Sequence, residues 1–148
     1  FGINKQRFDV RCCSTHHAPN TSSDMTTRTV LDHAAKAVYR GLIRIEKGAR
    51  GTSSRQKSDT LLLGDESRAD SVPELEIEND DVKCSHGATV GQIDEDMLFY
   101  MTSRGIDPKS AKQHIIKGFF KPILDAITDE QLRVNLDVSI NRRLEVDI

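Results

Sequence analysis

The hydrophobic period of this chain changes near Gln92. That break constrains the fold more than any other feature, because strands repeat every second residue and helices about every 3.6 residues. Before it, apolar residues come in short bursts. Val38, Leu42, Ile43 and Ile45 flank an Arg40-Gly41 break, then come Leu61-Leu62-Leu63, then Leu75 and Ile77, then Val82. Between the bursts lie the polar, turn-rich links GARGTSSRQKSD, GDESRADS and ENDD. Bursts and links of this kind read as strands. LEIEND alternates apolar and acidic residues, as a half-exposed strand does. The bursts recur without a strict repeat, which suits either a β-sandwich or a β-helix with rungs of unequal length. Periodicity does not choose between them.

After Gln92 the pattern is helical. DEDMLFYMTSRG predicts a helix capped at Asp94, acidic in its first turn and stopped after Arg104 by Gly105. The next helix has Asp107 as N-cap and Pro108 at its first position. Its apolar residues Ala111, Ile115, Ile116, Phe119, Phe120, Ile123, Leu124 and Ile127 form one wide stripe. Pro122 predicts a kink or a division there, since it cannot donate to Gly118. TDEQ, starting at Thr128, reads as a capping box for a last helix carrying Leu132, Leu136, Ile140 and Leu144. The expected organisation is a strand body over residues 1–92 and a helical domain over 93–148. So wide a stripe must be buried, and folding back on the chain itself is the simplest way.

Charge and composition exclude several classes. Lys and Arg number 21 against 23 Asp and Glu, so no basic excess advertises nucleic-acid binding. No apolar run approaches the ~20 residues of a membrane span, and the chain starts, at Phe1, without a signal segment. Aromatics are 5% with no Trp, so the expected core is Leu, Ile, Val and Ala in layers. Three cysteines, Cys12, Cys13 and Cys84, are an odd count that points to a reducing compartment, the cytoplasm. Zinc spacings, a phosphate loop and a nucleophile elbow are all missing.

Chemistry concentrates at DDVKCSHGATVGQID, residues 80–94. Cys84 and His86 alternate along a strand and so share a face. A thiolate and an imidazole there could serve one soft metal ion, or act as nucleophile and base, or merely belong to a turn. A metal needs three or four ligands and an enzyme needs an orienting group, and neither is supplied nearby in sequence. His16 and His17 are adjacent, which places one inside and one in solvent. His33 and His114 have no ligand-spaced partner and read as surface residues. Cys12 and Cys13 read as ordinary strand positions, and ENDD as a solvated turn.

The run PELEIENDDVKCSHGATVGQIDEDMLFYMTSRGI closely resembles the C-terminal part of the SufB/SufD family, the scaffold proteins of the SUF iron–sulfur cluster assembly system. HHAPNTSSD, YRGLIRIEKGA and SDTLLLGDESRADSVPELEI resemble further family segments, so the likeness runs from about residue 7 to 127. SufB-type chains carry a cysteine where this chain has Ser58, and His-Glu-Ala where it has His86-Gly87-Ala88. The Cys-Ser-His-Gly form is similar to the SufD branch. The resemblance implies the last rungs of a right-handed parallel β-helix followed by a C-terminal helical domain, with an N-terminal region and the early rungs lying outside this sequence. It implies a non-catalytic scaffold with no tightly bound cofactor. Such a subunit pairs with SufB, and the SufC ATPase docks on the helical domain. His86, with neighbouring Cys84, would be an interface ligand for a transient iron–sulfur cluster completed by the partner chain. The helices from Asp94 to Ile127 would be the SufC dock, with Asp94, Leu98, Phe99, Arg104, Phe119 and Phe120 as candidate contacts. Exposed rung ends predict a dimer through β-helix edges. A SufB-like homodimeric scaffold and a Cys84–His86 enzyme are the alternatives.

Overall fold

The computed structural model describes residues 1–147. Six strands are followed by three helices: β1 Arg7–His16, β2 Ser22–Leu31, β3 Lys36–Ile45, β4 Thr52–Leu62, β5 Arg68–Ile77, β6 Val82–Gln92, α1 Glu95–Ser103, α2 Pro108–Asp125 and α3 Glu130–Asp147. The order of strands then helices follows the change of period. The chain divides into two compact units, Gly2–Gly91 and the residues from Gln92 on.

The expectation of a right-handed parallel β-helix is corrected. The strands form two separate three-stranded parallel sheets, ordered β1-β3-β5 and β2-β4-β6, which are not closed into a solenoid. Each strand pairs with the strand two places on: Arg7 aligns with Lys36, Lys36 with Arg68, and Ser22 with Ser53. Among the described residues, no strand ladder joins one sheet to the other, so what holds them together is side chains and short links. In one link, a Cβ on Gly64 would meet the backbone of His33, itself at φ +54°, so only glycine lets the two turns approach.

The interior lies between the sheets and has two apolar ends. Leu31, Ala35 and Ala37 pack with Leu62 and Ala69 at one end. Ile43, Ile45 and Ala49 pack with Met25, Leu75, Val82 and Cys84 at the other. Each fully buried Leu or Ile stabilises by about 1.5–3 kcal/mol. Between these ends the interior is polar, unlike the expected aliphatic ladder. Thr52, Ser54, Gln56, Ser58 and Thr60 alternate along β4 and are all buried. TSSRQKSD is therefore strand rather than link, and β3 runs unbroken through Arg40-Gly41. The signal was an alternation of uncharged polar with mostly charged residues at period two, which is a strand pattern without hydrophobicity.

In the second unit, Asp94 caps α1 by accepting from the amides of Asp96 and Met97, and Gly105 follows at φ +88°. Asp107 caps α2 through the Ser110 amide, with Pro108 behind it. Pro122 does not divide α2. It sits in the last turn, where few later bonds depend on the one it forfeits. α3 starts one residue later than the capping box predicts. Asp129, not Thr128, accepts from the Leu132 amide at 2.9 Å. The α3 stripe is buried only at its far end: Leu144 is enclosed, Ile140 half-buried, Leu132 and Leu136 exposed. Among the described residues, no helix is long and apolar enough to cross a membrane.

Candidate functional site

β6 is an edge strand of its sheet. Besides its pairing with β4, two contacts fix it and the residue before it. The Gly51 amide donates to the Asp81 carbonyl at 2.6 Å, and the Thr89 hydroxyl donates to Asp59 at 2.7 Å. Cys84 is half-buried against the Ile43–Ile45–Ala49 cluster, and His86, two residues on, is exposed. One strand thus offers a sheltered thiol and an accessible imidazole from the same face.

Burial pushes the Cys84 thiol up from its ordinary range, and a backbone hydrogen bond from Ser85 offsets only part of this. That is the reverse of an activated nucleophile, which needs a stabilised thiolate. Among the described residues, no three His, Cys, Asp or Glu side chains gather in a metal-holding group. Within one chain the corner therefore offers two ligand atoms of suitable softness and no more.

The other histidines divide by environment. His16 is buried, bonded through Nδ1 to the Thr21 hydroxyl at 2.7 Å and through Nε2 to the Ser23 hydroxyl at 2.9 Å. Ser23 continues to Ser54 at 2.6 Å. His17 is exposed, 2.9 Å from Glu46. The pair is thus one satisfied inside and one solvated. His33 and His114 are exposed, and His114 bonds the Ser110 carbonyl at 2.7 Å. Cys12 is half-buried and Cys13 exposed, on opposite faces of β1.

Ser58 is buried in the polar column of β4. Beside it, Asp59 is a buried carboxylate that the sequence reading missed. Burial alone would raise its pKa. Hydrogen bonds from Thr89 and Lys57, with the charges of Lys57 and Arg28, hold it below 3.8 instead. Asp59 so links β2, β4 and β6.

The candidate partner contacts are scattered over the helices. Asp94 is occupied as a cap, Leu98 is half-buried, and Phe99 is 73% exposed beside exposed Tyr100 and Met97. The Arg104 guanidinium lies 5.0 Å from the Tyr100 ring centre. Phe119 and Phe120 are half-buried and meet edge to face at 5.7 Å.

Residues 1–119 match the family model described as SUF system FeS cluster assembly, SufBD core domain. The chain is 38% identical over 142 residues to the iron-sulfur cluster assembly protein SufD of Escherichia coli K12, covering 96% of this chain and 34% of that protein. It is 35% identical over 148 residues to an iron-sulfur cluster assembly SufBD family protein of Mycobacterium tuberculosis, covering 100% of this chain and 17% of that protein. A SufBD family protein of Staphylococcus epidermidis is 34% identical over 148 residues, which is 100% of this chain and 31% of that one. The chain thus spans about a third or less of the relatives it matches.

Proposed function

The chain belongs to the SufBD family of iron–sulfur cluster assembly proteins, close to SufD, and we propose that it serves there as a non-catalytic SufD-like scaffold subunit in the cytoplasm. It pairs with a SufB-like subunit and docks a SufC-like ATPase. The observation that carries this reading is the Cys84–His86 corner on an edge strand. An edge strand has unpaired backbone groups that a partner strand can complete, so a second chain can bring the missing ligands to the same place. The iron–sulfur cluster is cargo. A site split between chains holds it while the chains are together and releases it when they part, whereas a closed four-ligand site would retain it. Ser58 supports the SufD-like role, since a buried hydroxyl is a poor iron ligand where SufB-type chains place a thiol. The raised Cys84 thiol disfavours the enzyme alternative.

The helical unit supplies the docking part. Met97, Phe99 and Tyr100 expose apolar surface on one short helix, with Arg104 stacked beside them. Aromatic and Arg side chains of this kind are the usual anchors of protein interfaces. Co-purification of the full-length protein with SufB-like and SufC-like proteins tests the assignment. Both should be retained, and Phe99→Ser should lose the ATPase while keeping the SufB-like subunit. Retention of neither protein would overturn the proposal.

A further inference from the structure

Several outward-facing charges on the two sheets are neutralised by a carboxylate or a guanidinium on the same or the neighbouring strand. Arg44 and Glu76 are register partners, 2.6 Å apart. Asp24 and Arg55 are register partners at 2.5 Å. Arg11 and Arg40 face each other, yet both reach Asp9, at 3.6 and 3.7 Å. One column is not relieved in this way. Arg7 aligns with Lys36 and Lys36 with Arg68, so three cations stand side by side across β1, β3 and β5. Like charges directly opposite one another destabilise a sheet.

Among the described residues, no carboxylate forms an ion pair with this column. Arg7, Lys36 and Arg68 share with Lys5, Asp65 and Glu66 the lining of an open depression of about 420 Å³. Among the described residues, none of the four cations forms an ion pair, although the two carboxylates line the same depression. Four positive charges less two negative leave an excess of two. Asp9, two residues along from Arg7, is already engaged by Arg11 and Arg40.

We propose that this column is a binding site for the diphosphate group of a small molecule. Adjacent strands are ~4.8 Å apart, so the three cations span about 10 Å, the reach of two linked phosphates rather than one carboxylate. Arg7 and Arg68 bring guanidinium forks that match phosphate oxygens, and Lys36 brings a point charge between them. The volume falls in the ~300–1,000 Å³ range of small-molecule sites. The neighbouring positions on the same sheet are charge-compensated, so the basic surface is one local column and not the long stripe a nucleic acid needs. A bound diphosphate offsets the repulsion among the three cations.

Calorimetric titration of the full-length protein with inorganic pyrophosphate and with adenosine diphosphate tests the site. One saturable event is expected, weaker at higher salt. Tighter binding of the nucleotide would place the diphosphate on a nucleoside, and equal binding would make the phosphates alone the ligand. Lys36→Gln should weaken binding about tenfold. The same variant should raise the thermal midpoint without ligand, because it relieves two like-charge contacts. Arg55→Gln removes an equal charge from a paired position and should leave the titration unchanged. Absence of saturable binding, equal weakening by both variants, or a lowered midpoint for Lys36→Gln would each overturn the proposal.

Discussion

Single residues set the tolerance of the interior. A Cβ on Gly41 would collide with the side-chain amide of Gln56 and lie 2.8 Å from the Tyr39 hydroxyl. Gln56 is buried, and among the described residues its amide has no hydrogen-bond partner, so the added methyl group must displace a buried side chain. Gly41→Ala should therefore destabilise by about 1–3 kcal/mol, read as a lower denaturant midpoint. Asp59 carries a pH dependence of known sign. Its native pKa is depressed, so its contribution is present above the unfolded value of 3.8 and fades as pH falls through the native value. Asp59→Asn should cost about 1–3 kcal/mol at neutral pH. The difference from the native protein should shrink below about pH 4, and a constant difference across that range would contradict the assignment. Neither residue was legible beforehand. Gly41 looked like a break and Asp59 like part of a polar link, because their roles depend on what the other strands bring opposite them.

At the scale of elements, the sequence was most readable where local chemistry decides. Asp94 and Asp107 cap their helices as their positions predict, and Gly105 takes the left-handed conformation after α1. The cap of α3 shifted by one, since Thr128 and Asp129 are both competent and the carboxylate adds favourable charge at the helix N-terminus. Asp129→Ala should lower stability by about 1 kcal/mol, measured by the thermal midpoint, and Thr128→Ala should do much less. β4 was the element least readable from hydrophobicity. Its inward residues are Thr, Ser and Gln, so only the alternation with its outward residues marks it as a strand. α3 shows the opposite failure. Its leucine spacing promised a buried face, yet Leu132 and Leu136 remain exposed in the single chain.

For the whole molecule, family and element order were legible, and the closure of the sheets was not. Strand bursts can be counted in a sequence, but whether sheets join into a solenoid depends on hydrogen bonds between distant strands. Here those bonds make two separate parallel sheets. The Cys84–His86 corner was likewise legible as a pair, while its place on an edge strand came from topology. Two ligand atoms on one edge become a cluster site only when another chain faces them, so the central claim concerns the assembled complex. The most direct measurement is iron–sulfur cluster formation on the purified complex of the full-length protein with its SufB-like and SufC-like partners, followed by visible absorption, for the native protein and His86→Ala. An intact complex and loss of most cluster formation are expected of the variant. Normal cluster formation by an intact His86→Ala complex would contradict the central claim and leave the corner as a structural feature of the strand.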